Sequence, residues 1–376
     1  MELKSLSEYE QFLYGCRFCP MCKPASEVGN VTQLESHSTR GKALLLWRVA
    51  KGLAELTPRD AELIYQSTLD SISQAWCISH YPVAEYVAAA RRELVSKGLV
   101  PPEVKAVLRK QLRSESCPQA ETVLLAGEIS QLDEGGAVET VLELLARCGE
   151  SAQAFLHPTG ALAYALGDLE AAREQAAKAA EGLQNAGARR VVADGPQTLY
   201  ALKVLYPLLG VELPEYIEIT SLAERAERGL DKKKLSAKMI DGDQALFFHD
   251  SPSACFLADE LPSDEVIQPS LCDSEEHSGS GEVFELPRRI LDRLGARRVS
   301  SVWSKALSRS TGADDGLMFT YPELASGLAR MRIEQIRSLG AEAIVVDSVL
   351  DAVHLRRVQG NGQGMPITWL AELFRT

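Results

Sequence analysis

The chain has 376 residues, enough for two or three domains, with 45% hydrophobic residues and a formal net charge of -12. That acidic balance disfavours nucleic acid as a partner, because phosphates require a basic face. A mean hydropathy of -0.09 without any long apolar run argues against a membrane span. The acidic, polar start from Met1 to Glu10 does not read as a signal peptide, so the expected location is cytoplasmic.

Taken in chain order, three regions can be read. Residues 1–113 are helical in pattern, with Glu85 to Lys97 clearly amphipathic and Pro101-Pro102 as a break. Residues 114–235 open on a strand, Thr122 to Ala126, followed by helices at Ala137 to Arg147 and Leu169 to Ala186. Gly187 is placed to end the second helix, and Arg190 to Ala193 reads as a short buried strand. Residues 236–376 repeat the plan. Ala245 to Phe248 is a strand, Pro287 to Leu294 and Glu323 to Leu339 are helices, and Ala343 to Val346 is a strand. The stretches starting at Gly167 and Tyr321 both read as a long helix, a glycine and an apolar strand ending in Asp194 or Asp347, which points to an internal duplication. The expected fold class is α/β behind an N-terminal helical part. The Ser-, Asp- and Glu-rich segment from Asp259 to Gly281 reads as a loop.

Eight cysteines in a long chain without a leader suggest metal or redox use. Cys16, Cys19 and Cys22 form C-x2-C-x2-C, a spacing that wraps three thiolates around one metal centre. A [4Fe–4S] cubane needs a fourth thiolate, which two-cluster ferredoxins take from a second motif. Zinc is the alternative centre, although it more often shows paired C-x2-C motifs. On the ferredoxin spacing the first motif would place its fourth cysteine at Ser26. The second motif would fall on Ser67, Asp70, Ser73 and Cys77. Cys16, Cys19, Cys22 and Cys77 are then the ligands of one cluster, all present. Ser26, Ser67, Asp70 and Ser73 are the positions of the other, all replaced. One cluster is expected to be kept and one lost. His80 is a rival fourth ligand, since imidazole can replace thiolate on iron.

These residues carry a family likeness. The chain resembles the iron–sulfur subunits of flavin-linked 2-hydroxyacid dehydrogenases such as glycolate oxidase, and is similar to heterodisulfide reductase subunits. The likeness includes "TRGKALLLWR" from Thr39, "AELIYQSTLDSISQAW" from Ala61, "GDLEAAREQAAKAAEGL" from Gly167, "FHDSPSACFL" from Phe248 and "FELPRRILDRLG" from Phe284. It implies a helical ferredoxin-like domain over 1–113 and two duplicated Cys-Cys-Gly domains over 114–235 and 236–376. It also implies FAD on a partner subunit, a further iron–sulfur carrier as neighbour, and room for association with the inner face of the membrane through the complex. The sequence departs from the family where Cys-Cys-Gly is expected: Pro158, Thr159 and Gly160 stand at the first site, and Ser310, Thr311 and Gly312 at the second. Glu128, Thr198, Ser348 and Asp351 occupy other expected cysteine positions, and Cys255 alone resembles a shifted survivor. Thiol-based disulfide reduction is therefore not expected.

Other features read as structural. Gly360 to Gly364 is rich in glycine but lacks a following Lys-Ser/Thr, and is expected to be a turn before the last helix. His249-Asp250 is expected to serve structure rather than act as an acid/base pair, because neighbours at a strand end face apart. The run Asp231 to Lys234 is a solvated turn, and Trp47, Trp76, Trp303 and Trp369 are packing residues. Cys117, Cys148, Cys255 and Cys272 are read as core or loop residues. The expected function is an electron-transfer subunit holding one [4Fe–4S] cluster. The rivals are a scaffold whose cluster is structural and a thiol reductase acting through Cys255.

Overall fold

The computed structural model describes residues 3–110, 113–127, 136–236, 240, 242–261, 278–360 and 364–375. Residues 3–110 contain helices and turns and, as described, no strand. Among them are Glu10–Cys16, Glu27–Thr32, Thr39–Ala50, Pro58–Tyr65, Ile72–Ala75 and Val83–Ser96. The last covers the amphipathic segment seen in the sequence and buries Tyr86, Val87, Ala90 and Leu94 on one face.

Two parallel sheets follow. The first comprises β1 (Thr122–Ala126), β2 (Ala152–Leu156), β3 (Arg190–Ala193) and β4 (Glu218–Ser221), in the order β2-β1-β3-β4. The second comprises β5 (Ala245–His249), β6 (Arg297–Arg298), β7 (Ala343–Val346) and β8 (Ile367–Trp369), in the order β6-β5-β7-β8. The two orders are the same, and every pairing is parallel. The fold is mixed α/β. Parallel strands need helical crossovers, and these cover both sheet faces. That is why β1 and β5 are buried along their whole length.

The repeat extends to detail. The helices Leu169–Asn185 and Pro322–Ser338 are both 17 residues long and lead into β3 and β7. Ahead of each stands a glycine with positive φ, +89° at Gly160 and +82° at Gly312. A Cβ on Gly160 would lie 2.6 Å from the Ala172 carbonyl oxygen, and one on Gly312 would lie 2.8 Å from Ala325 Cα. Ala172 and Ala325 are each the fourth residue of their helix. Glycine is needed twice, for the left-handed backbone and for the close approach.

Three expectations need correcting. The helix placed at Pro287 to Leu294 runs from Glu282 to Arg293, with Pro287 inside it. Proline forfeits one backbone bond there, but burial of Phe284, Ile290 and Leu291 and the acidic first turn, Glu282 and Glu285, favour the longer helix. The helix at Leu169 is capped by Ala186, with Gly187 following at φ +70°. After Gly360 the chain forms strand β8 before its last, 3-10 helix; residues 361–363, like Glu128, Cys272 and most of the Asp259 to Gly281 loop, lie outside the described residues.

Buried polar contacts tie the helical part to the end of the short helix Ala161–Ala165 that follows β2. Arg91, 1% exposed, donates to the Ala165 carbonyl at 2.6 Å and, within the helical part, to that of Ser67 at 2.7 Å, and the Tyr65 hydroxyl donates to the Leu166 carbonyl at 2.9 Å. No described helix is long and apolar enough to cross a membrane.

Candidate functional site: a four-thiol cavity

Cys16 ends the helix Glu10–Cys16, and the chain then turns sharply, with the Cys19 amide donating to the Cys16 carbonyl and the Lys23 amide to that of Pro20. Cys77 arrives from the far side, two residues after the helix Ile72–Ala75. The turn brings Cys16, Cys19, Cys22 and Cys77 to one cavity of about 140 Å³, also lined by Gly15, Met21, Thr39 and Tyr81. A Cβ on Gly15 would meet the Tyr81 ring at 2.8 Å, so glycine lets the ring close that wall. Cys16 is buried, Cys22 and Cys77 are half-buried and Cys19 is exposed.

Burial pushes Cys16 up to about 12, and repulsion from Cys22 and Cys77 adds to this. Burial also raises Cys22, against a hydrogen bond from Thr39. Thiolates at such a site need a positive centre to compensate them, so metal binding there releases protons. Among the described residues no three His, Cys, Asp or Glu side chains converge closely enough to share one metal ion. A cubane binds thiolates at four separate corners, so its ligands stand farther apart than those of a single tetrahedral ion. The four thiols that line the cavity are the donor set a cubane requires. The residues present fit such a group.

His80 takes no part in the cavity wall. Its backbone has φ +46° and its Nδ1 lies 3.2 Å from the Gln74 carbonyl oxygen.

The cysteine turn is clamped from the C-terminal part of the chain. Trp76 donates from Nε1 to the Met21 carbonyl at 3.1 Å and stacks on Trp303 with ring centres 4.8 Å apart. The Arg309 guanidinium lies 3.8 Å above Trp303 and donates to the Pro24 carbonyl at 3.1 Å. Trp303 and Arg309 as clamps, and Thr39 as a donor to the Cys22 thiol, were missed in the sequence. Thr39 opens a segment noted there only for its likeness; the others had no local signal, because they act across the fold.

The four replaced positions also converge. Ser26, Ser67, Asp70 and Ser73 line a second, smaller cavity of about 30 Å³, with Glu27, His37, Thr39, Lys42 and Tyr86 around them. That volume holds about one water. Thr39 and Ser73, whose hydroxyl oxygens lie 3.1 Å apart, both line the two cavities. Lys42 is 6% exposed and donates to the His37 carbonyl at 2.8 Å. Burial, helped by the charge of Arg91, pushes its ammonium down to about 7. Burial raises Glu27 to about 7, against Arg309 and Arg332, and lifts Asp70 well above the usual carboxylate range.

In the first sheet's half, a Cβ on Gly127, at the end of β1, would meet Thr159 Cγ2 at 2.7 Å and Thr198 Oγ1 at 3.2 Å. In the second half, Thr311 donates to Asp351, and His249 Nε2 stands 3.7 Å from the same carboxylate. Ser310 accepts from the Gly312 amide at 2.9 Å, and Ser348 caps its helix through the Asp351 amide. Small hydrogen-bonded groups thus fill both places. His249 and Asp250 face apart: Asp250 makes a two-pronged pair with Arg288 at 2.7 and 2.8 Å, which holds its carboxyl below the ordinary value despite burial. The Cys255 thiol is buried, donates to the carbonyls of Lys305 and Ala306, and is raised strongly by burial. Burial also raises Cys148, and Cys117 to about 11.

No family model and no curated protein matches the chain. In fold it is similar to the crystal structure of a hypothetical protein from Helicobacter pylori, at 11% identity and a TM-score of 0.55, over 89% of this chain and 67% of the other. That likeness concerns the fold alone. A proposed Asp/Glu racemase from Yersinia pestis overlaps 68% of this chain and 96% of its own at 11% identity, but its TM-score of 0.31 carries no weight.

Proposed function

We propose that this protein binds one [4Fe–4S] cluster through Cys16, Cys19, Cys22 and Cys77 and serves as an electron-transfer subunit of an oxidoreductase. The observation that carries the reading is the sorting of two ligand sets. The four cysteines border one cavity, and Ser26, Ser67, Asp70 and Ser73 border a smaller neighbouring one, with Ser73 and Thr39 lining both. On this reading residues 1–113 are a helical ferredoxin-like domain, and residues 114–235 and 236–376 are duplicated Cys-Cys-Gly-type domains whose thiols have given way to Thr159, Thr198, Thr311 and Asp351. The partner expected upstream is a FAD-linked subunit of the 2-hydroxyacid dehydrogenase kind.

When bound, the cluster would supply one-electron transfer. The chain's own residues hold and shield it. The Trp76–Trp303 stack fixes the turn through Met21. Tyr81 closes one wall, and the Thr39 hydroxyl offers a donor to the Cys22 sulfur. Such a donor favours the more negatively charged, reduced state and so raises the potential. The loss of thiols from both α/β halves favours one rival, a scaffold with a structural cluster.

The test is iron and acid-labile sulfide content with EPR on anaerobically purified protein, for wild type, Cys77→Ala and Cys255→Ser. About four irons per chain and a reducible cubane signal are expected in wild type and Cys255→Ser, with loss or conversion to a three-iron form in Cys77→Ala. Zinc or no iron in the wild type refutes the reading. A cluster that resists reduction at physiological potentials decides for the scaffold.

A further inference from the structure

The surface around the cysteine turn differs from the rest of the chain in both polarity and sign. Beside the exposed Cys19, Phe18 is 69% exposed, and Tyr14, Met21 and Ile78 are exposed as well. The Arg17 guanidinium lies 3.8 Å above the Tyr14 ring and 4.1 Å from those of Phe18 and Trp47, joining them into one face. Lys23 and Arg40 border a shallow depression on the other side of Cys19. From Tyr14 to Lys51 the sequence holds six Lys and Arg, of which Lys42 is buried and Lys51 pairs with Glu10 at 2.6 Å, against two Glu. Of those two, Glu27 is buried and Glu35 is paired with Arg40 at 2.7 Å. The segment from Ser71 to Ala84, which brings Cys77 and Ile78, contains no acidic residue. Among the described residues Arg17, Lys23 and Arg48 form no salt bridge. A chain with a net charge of -12 therefore presents a basic, apolar-studded face where its outermost thiol reaches the surface.

We propose that this face docks an electron-carrier protein whose own cofactor is rimmed by carboxylates, of the acidic ferredoxin class. The inference rests on the cluster reading and adds to it the kind of partner and the place where it binds. Opposite charges steer the encounter, while the negative remainder of this chain repels the same partner elsewhere, so approach is confined to the cysteine end. Phe18, Met21 and Ile78 give a small dry contact. Carrier complexes of this type bury less than about 1,200 Å² and dissociate readily, as a shuttling carrier requires.

The experiment uses the full iron-loaded chain and a plant-type [2Fe–2S] ferredoxin as the acidic probe, with cationic cytochrome c and phosphatidylserine vesicles as the alternatives. Binding is measured by calorimetry and electron transfer by stopped flow, for wild type, Arg17→Glu with Arg48→Glu, Lys23→Glu and Phe18→Ser, each checked for iron content and circular dichroism. Affinity for ferredoxin is expected to fall about tenfold or more in the charge-reversed variants and on raising salt from about 10 mM to about 300 mM. Ferredoxin binding that survives both changes overturns the proposal, as does preference for cytochrome c or for the vesicles. The two readings fail separately. A chain without iron that still binds ferredoxin through these residues sinks the cluster and keeps the surface. An iron-loaded chain that binds no ferredoxin does the reverse.

Discussion

Replacing Lys42 by methionine should stabilise the iron-free protein at mildly acidic pH. Lys42 sits in the small cavity bordered by Ser26, Ser67, Asp70 and Ser73, and its one described hydrogen bond goes to the His37 carbonyl. Burial lowers its pKa from 10.5 to about 7. At about 1.4 kcal/mol per tenfold, that is about 5 kcal/mol against the charged form. The sign follows from proton binding. Between about pH 7 and pH 10.5 the unfolded chain holds a proton at Lys42 that the folded chain does not. Stability contributed by this site therefore rises with pH across that window, and below about pH 7 the full penalty stands. Methionine removes the penalty but leaves the His37 carbonyl buried without its donor, at a cost of about 1–3 kcal/mol. The expected net gain is about 2–4 kcal/mol near pH 6, turning to a loss of about 1–3 kcal/mol near pH 10, where wild-type lysine is already neutral. Urea unfolding followed by circular dichroism at the two pH values measures both numbers. A variant less stable than wild type near pH 6 would refute the reasoning, because it would mean that Lys42 is charged and well paired in the cavity.

Arg288→Ala should cost about 3–5 kcal/mol in urea unfolding at neutral pH, because it strands the buried Asp250 carboxylate. The loss should shrink as the pH falls and Asp250 takes up a proton; a loss that is the same at every pH would count against a charge effect. Gly160→Ala and Gly312→Ala should each cost about 2–4 kcal/mol, from a left-handed backbone and a Cβ pressed against a helix. Unequal costs for the two would speak against equivalent roles in the two halves. In the iron-free chain Cys19 should react first with a thiol reagent and Cys255 only on unfolding, since the former is exposed and the latter buried. Early labelling of Cys255, read by peptide mass, would revive the thiol-reductase alternative.

The sequence by itself determined the inner strands. β1, β3, β5 and β7 are almost wholly buried and each contains an apolar run of three or four residues, so each could be recognised locally. Their outer partners β2, β4, β6 and β8 could not. β2 and β4 are only partly buried and carry polar residues, β6 is only two residues long, and β8 only three. Those four are strands because an inner strand offers them hydrogen bonds, which is a tertiary fact. The cysteine spacing named a ligand set, but spacing cannot say whether Cys77 comes back to Cys16. The folded chain decides that with Trp303 and Arg309, more than 200 residues along, through stacking on Trp76 and a hydrogen bond to Pro24. Likewise the spacing singled out Ser26, Ser67, Asp70 and Ser73 but could not bring them together. They border one buried cavity only because the helices around Thr39 and Tyr86 pack there, and packing between distant segments leaves no periodic trace in either of them.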